Sequence, residues 1–186
     1  MKELANKFLQ LLGVILLLVG LTACSSGGTA GLEAFQSSDG RYGFFYPTGW
    51  TRVSVSGGPE VVFHDLINSD ETLSLVISDL GTVPDLKSLG TPLEVGEALV
   101  SEVFAPSGGG RQAQLLEATQ REKSGHVFYD IEYLVRLDDR DRHEIATVVV
   151  DDGSLFTLAA STNEARWPKV NSLFSRVINS LTFFYS

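Results

Sequence analysis

Between Gln112 and Ser161 apolar and polar residues alternate in a pattern that predicts three or four consecutive antiparallel strands joined by tight polar turns. Val127, Tyr129, Ile131, Tyr133, Val135 and Leu137 recur at every second position, the period of a strand with one buried face. Asp130, Glu132 and Arg136 fall between them, so the other face of that strand is partly wet. Ile145 to Val150 is apolar at nearly every position, as is Leu155 to Ala160 beyond the turn Asp151-Asp152-Gly153-Ser154. Near-continuous apolar strands need cover on both faces, so the pattern calls for a central antiparallel sheet with a layer on each side.

The flanking segments supply those layers. Phe35, Tyr42, Phe44, Tyr46 and Trp50 lie in short strand-like pieces broken at Asp39-Gly40 and Pro47-Thr48-Gly49, and they read as a packed strand face. Glu60 to Leu66 and Leu73 to Asp79 read as two further strands around a turn at Asn68-Ser69-Asp70. Thr91-Pro92-Leu93-Glu94 is a helix start with a capping box and proline at the first helical position. Val95, Leu99 and Val103, widened by Ala98 and Phe104, form that helix's apolar stripe, which Pro106 and Gly108 to Gly110 end. A second helix carries Trp167, Val170, Phe174, Val177, Ile178 and Leu181 at helical spacing, with Pro168 in its first turn and cap candidates in Ser161 to Glu164. Thr182 to Tyr185 then resumes an extended apolar end.

The N-terminus follows a different pattern. Lys2 and Lys7 precede an apolar run from Phe8 to Leu21, and Leu21-Thr22-Ala23-Cys24 matches a bacterial lipobox. The run is short for a bilayer span and ends on small residues, which favours a cleaved lipoprotein signal over a transmembrane anchor. The expected organisation is a signal peptide over 1–23, a lipidated Ser/Gly-rich tether over 24–31 and one domain over 32–186. Cys24 is the only cysteine, so no disulfide supports that domain. A diacylglycerol with an N-acyl chain on Cys24 is enough for stable membrane anchoring.

Fourteen Lys and Arg stand against 23 Asp and Glu, a formal net charge of −9, which argues against a nucleic-acid partner. Catalytic machinery is not visible. No Gly-x-Ser-x-Gly elbow occurs, and no Lys-Ser/Thr follows the glycines at 108–110. His143-Glu144 lacks the second histidine of a zinc protease helix, since Thr147 holds that position. Asp138, Asp139 and Asp141 lack the glycine and distant glutamate of a calcium loop and read as a solvated hairpin turn. His64, beside Asp65, and His126 read as surface residues, with His64–Asp65 the weaker candidate for a metal. If the hairpin turns on Asp152-Gly153, His143 faces Thr162 and Glu164 becomes its diagonal neighbour. That pair is either a surface His–Glu contact or a weak, open divalent-metal site suited to zinc or manganese.

The order of these parts resembles the PsbP family of photosystem II extrinsic proteins. Gly40 to Trp50 is similar to the family's opening segment. Tyr129 to Arg136, Arg142 to Thr147, and Glu164 to Trp167 with the last helix resemble its C-terminal half. The resemblance covers essentially the whole domain and implies an α/β/α sandwich around a central antiparallel sheet. The lipobox fits the family's cyanobacterial lipoprotein branch and implies a non-enzymatic protein, lipid-anchored on the lumenal side of the thylakoid membrane. It also implies a contact with photosystem II core subunits, in assembly or stabilisation. Plant members help retain calcium and chloride, so calcium enters by family association only, and no cofactor is obligatory. The family's proposed metal pair falls on His143 and Glu164. The competing reading is a periplasmic metal- or ligand-binding lipoprotein unrelated to photosynthesis.

Overall fold

A computed structural model describes residues 30–83, 85–104 and 111–184, with the side chains of 103 and 104 left out. The expected signal peptide, Cys24 and the expected tether up to residue 29 lie outside the described residues. The chain divides into a unit over Met1–Ala30 and a unit over Gly31–Ser186, and the second is described below. Among the described residues no helix is long and apolar enough to cross a membrane.

Among the described residues ten strands build two sheets. A three-stranded sheet has the order β1-β2-β10, with β1 at Leu32–Gln36, β2 at Tyr42–Pro47 and β10 at Thr182–Phe183. A seven-stranded sheet has the order β3-β4-β5-β9-β8-β7-β6 and every pairing in it is antiparallel. Its strands are β3 (Thr51–Val53), β4 (Val61–His64), β5 (Thr72–Asp79), β6 (Gln112–Lys123), β7 (His126–Arg136), β8 (Asp141–Asp151) and β9 (Ser154–Asn163). The β8–β9 turn places Asp152 and Gly153 at φ 46° and 68°, the left-handed pair that a two-residue hairpin requires. That turn fixes the register, and His143 pairs with Thr162 as the sequence pattern predicts.

β8 shows why a strand can be apolar throughout. Ile145 and Val149 point into a core with Phe63, Leu75, Phe128, Phe156 and Leu158. Ala146, Val148 and Val150 point the other way, into a core with Tyr129, Ile131 and Tyr133. Helix α2 (Trp167–Ile178) covers the first face through Val170, Phe174, Val177 and Ile178, joined by Tyr42 and Phe44 of the small sheet. Helix α1 (Pro92–Leu99) and the short 3-10 turn Leu86–Leu89 cover the second through Val95 and Leu86. Each large side chain buried this way contributes about 1.5–3 kcal/mol. The fold is therefore the expected α/β/α sandwich, with the three-stranded sheet as an added element on the α2 side.

Both helix starts follow from their sequences. Thr91 Oγ1 accepts from the Glu94 amide at 3.3 Å, and Glu94 Oε2 accepts from the Thr91 amide at 2.7 Å. This capping box satisfies donors that the first turn leaves free. Asn163 Oδ1 accepts from the Ala165 amide at 3.0 Å and starts the 3-10 turn Glu164–Arg166 that leads into α2. Two details depart from the pattern. Ala98 is exposed rather than part of the α1 stripe, because the helix meets the sheet through Gly96. A Cβ there would lie 3.1 Å from Leu115 and 3.3 Å from Ile131, so any larger residue would have to push those side chains aside by a few tenths of an ångström. After Leu99 the helix widens into a π-helical turn over Val100–Phe104. The strand before the β4–β5 loop also stops at His64, two residues earlier than its apolar run suggests.

Candidate functional site

The most concentrated polar cluster lies where β7, β8, β9 and α2 meet. β8 supplies His143, whose register partners are Leu134 on β7 and Thr162 on β9. Glu132 on β7 and Glu164 beyond β9 are thereby its diagonal neighbours on either side. His143 Nδ1 lies 2.6 Å from Glu164 Oε2, and Nε2 lies 2.7 Å from Glu132 Oε1. Trp167, the first residue of α2, stacks its indole on the imidazole with centroids 3.9 Å apart and planes 10° from parallel. His143 is 3% exposed. The pairing of His143 with Glu164 matches the hairpin geometry, but the surface position expected for His143 does not hold. Trp167 covers the ring from a helix that no local pattern connects to β8.

The chemistry of this cluster is hydrogen bonding. A neutral imidazole has one N–H and serves one carboxylate as donor, whereas an imidazolium donates to both. Both ring nitrogens are thus engaged by carboxylates, so the buried imidazole leaves no polar edge without a partner. Neighbouring ion pairs hold the frame. Arg121 Nε donates to Asp130 Oδ2 at 2.6 Å and its Nη2 to Thr147 Oγ1 at 3.0 Å, while the guanidinium covers the Phe128 ring at 4.1 Å. Arg166 Nε bonds the buried carboxylate of Glu71, tying the β4–β5 loop to the start of α2. A cleft of about 180 Å³ between these elements is lined by Glu117, Thr119, Asp130, Glu132, Ile145 and Ser175.

On the opposite face of β8, Glu144 lines a cleft of about 270 Å³ with Arg111, Arg140 and Arg142. Burial pushes its carboxyl up to about 7, against the opposing pull of Arg142 and Arg111.

The other candidates are placed as follows. His64 ends β4, opposite Thr51 and Thr72. Asp65 turns into its own loop, where Oδ1 accepts from the Ile67 amide at 2.8 Å and Oδ2 from Asn68 Nδ2 at 2.7 Å. Desolvation works to raise the Asp65 carboxyl, and these bonds outweigh it to hold the group below its ordinary range. His126 is mostly buried rather than a surface residue, with Nε2 2.9 Å from Asp151 Oδ1 and its ring stacked on Phe183. Asp138, Asp139 and Asp141 are exposed at the β7–β8 hairpin, as expected of a solvated turn. Among the described residues no group of three or more His, Cys, Asp or Glu is arranged to hold a metal ion. Glu132 and Trp167 are the partners of His143 that pattern reading missed. Centring the β7–β8 turn on Asp138-Asp139 pairs Leu134 with His143 and places Glu132 beside it, so that signal was present.

Comparison with known proteins agrees with this architecture. The PsbP family model matches residues 30–183. The chain is 42% identical over 170 residues to CyanoP of Synechocystis sp., covering 89% of this chain and 90% of that protein. It is 36% identical over 182 residues to CyanoP of Thermosynechococcus vestitus, covering 95% and 97%. The solution structure of cyanobacterial PsbP (CyanoP) from Synechocystis sp. PCC 6803 superposes with a TM-score of 0.73 at 40% identity, covering 89% of this chain and 99% of that one. LpqN of Mycobacterium tuberculosis shares the fold at 12% identity with a TM-score of 0.57, covering 83% of this chain and 91% of that one. A family match running from the first strand to the last, and a CyanoP fold at substantial identity, together establish that the chain belongs to the PsbP family.

Proposed function

We propose that this protein is a non-enzymatic lipoprotein of the thylakoid lumen that binds photosystem II core subunits through its surface and acts in assembly or stabilisation of that complex. The observation that carries the reading is its likeness to cyanobacterial CyanoP over almost the whole chain. The lipobox ending at Cys24 supports the anchored, lumenal placement. The polar cluster supports a binding role over a catalytic one, because His143, Glu132, Glu164 and Trp167 spend their bonding and stacking on one another. The test is affinity capture of the tagged, lipidated chain from gently solubilised thylakoids. Core subunits should co-purify, and their absence would refute the reading in favour of a lipoprotein unrelated to photosynthesis.

A weak zinc or manganese site at His143 and Glu164 is the second proposal, supported by the meeting of imidazole and carboxylate at 2.6 Å. Two ligands on one tetrahedral ion, at about 2.0–2.1 Å each, stand about 3.3 Å apart. Metal binding therefore requires the more exposed Glu164 to move outward and water to complete the shell. The donor set suits neither the oxygen cage nor the coordination number that calcium prefers. Calorimetric titration with zinc should give weak binding that Glu164→Gln removes; equal heats from both proteins would place any bound metal elsewhere.

A further inference from the structure

We propose that the β4–β5 loop inserts Leu66 and Ile67 into the lipid interface beside the point where the anchored chain enters the domain, and so fixes the domain's orientation on the bilayer. The two residues are adjacent and aliphatic, and they are 69% and 90% exposed. Single exposed apolar residues are ordinary, but a pair on one loop tip needs a reason.

The loop holds this pair rigidly. Asp65 accepts from Ile67 and Asn68. The Glu71 amide donates to the Asn68 carbonyl at 2.8 Å, and the Asp65 amide to the Glu71 carbonyl at 3.2 Å. Arg142 Nη2 donates to the Asp70 carbonyl at 3.0 Å, and Arg166 secures Glu71 from the α2 side. A tip braced in this way does not fold back to bury its side chains.

Its position identifies the occupant. The Gly31 carbonyl accepts from the Thr48 amide at 3.0 Å, which puts the domain's first residue at the β2–β3 turn. Thr51, just past that turn, pairs with His64, the last residue before the loop. The chain entry and the apolar tip are therefore at the same end of the sheet. Cys24 precedes Gly31 by seven residues, a covalent reach of at most about 25 Å at 3.3–3.6 Å per residue. A bilayer tethered at Cys24 consequently faces this end, so the inference rests on the lipoprotein reading above. Asp70 Oδ1 lies 3.7 Å from both Arg140 and Arg142, and Asp138, Asp139 and Asp141 stand exposed on the adjoining β7–β8 hairpin. With a chain net charge of −9, these acids favour uncharged over anionic headgroups.

The test uses the lipidated protein that begins at Cys24, in phosphatidylcholine vesicles. Cys24 is the only native cysteine and carries the lipid, so an introduced cysteine is the sole free thiol. An environment-sensitive fluorophore goes on Ser69→Cys beside the tip, or on Glu122→Cys at the far end of the sheet. Lipid-borne nitroxide should quench the first label at least fivefold more than the second, and Leu66→Ser with Ile67→Ser should abolish the difference. Equal quenching at both positions on vesicle-bound protein would overturn the proposal. So would shielding of the Ser69→Cys label that arises only with added solubilised thylakoid protein, since the tip would then dock on protein. Protein that fails to float with the vesicles would instead refute the anchor, and with it the premise of the insertion.

Discussion

Replacing Trp167 by alanine removes a side chain that does two jobs, covering His143 and packing the start of α2 against the sheet. The indole stacks on the imidazole at 3.9 Å and meets the Phe174 ring at 6.4 Å, yet part of it remains in contact with water. Truncating a fully buried tryptophan costs about 3–5 kcal/mol. Partial exposure reduces the burial share to about 2–3 kcal/mol, and the lost stack adds about 1 kcal/mol. The expected cost is therefore about 3–4 kcal/mol. In a domain of this size that corresponds to a fall in Tm of about 6–16 °C. Urea unfolding followed by far-ultraviolet circular dichroism measures it, and Trp167→Phe should recover part of the loss because a ring still covers His143. A double-mutant cycle with His143→Ala isolates the stack, with an expected coupling of about 0.5–1.5 kcal/mol. A Trp167→Ala cost below about 1 kcal/mol would refute the reasoning. Additive costs in the cycle would show that the parallel rings contribute nothing to each other.

Three further outcomes follow from the same geometry. Burial raises the Glu144 carboxyl from the ordinary 4.5 to about 7, so its stabilising contribution is complete below pH 4.5 and is lost as pH rises through about 7. Glu144→Gln should flatten the urea midpoint between pH 5 and 8 and stabilise the protein at pH 8 by on the order of 2 kcal/mol; parallel pH profiles would contradict this. Lys123 Nζ donates to the carbonyls of Asn179, Ser180 and Leu181 at 3.0, 3.3 and 3.0 Å, capping the C-terminus of α2. Lys123→Met should cost about 1–2 kcal/mol and speed amide exchange in the last turn of α2, and unchanged exchange there would show that the cap is idle. Thr91→Ala breaks the capping box and should cost about 1 kcal/mol in urea unfolding, against no measurable change if α1 is held by packing alone.

What the sequence discloses about this molecule is local in origin. The Asp152-Gly153 turn sets a register, and that register brings His143 opposite Thr162 and toward Glu164 without knowledge of any other element. The apolar run in β8 likewise discloses cover on both faces, because each face needs its own apolar set. Neither rule says which element supplies the cover. The depth of His143 depends on Trp167 returning over it, and the rotation of α1 depends on Gly96 reaching Leu115 and Ile131 across two strands. Both are contacts between elements distant in sequence, where periodicity carries no information. The end of β4 was missed for a different reason. Leu66 and Ile67 continue an apolar run, yet the Asp65 side chain captures the Ile67 amide and takes the chain out of the sheet.

This distinction bears on how the binding surface is to be found. His143, Glu132, Glu164 and Trp167 join β7, β8 and the turn after β9 to α2, so substituting them perturbs the fold before it perturbs any partner contact. A loss of photosystem II association in such variants would therefore not locate an interface unless the urea midpoint were unchanged. Exposed positions are free of that ambiguity. Leu66 and Ile67 make no contribution to either core cluster, and a change there acts on what the domain meets outside itself. A search for the protein partner is accordingly best made at exposed positions away from that lipid-facing end of the sheet, with the polar cluster kept intact as the frame that holds them.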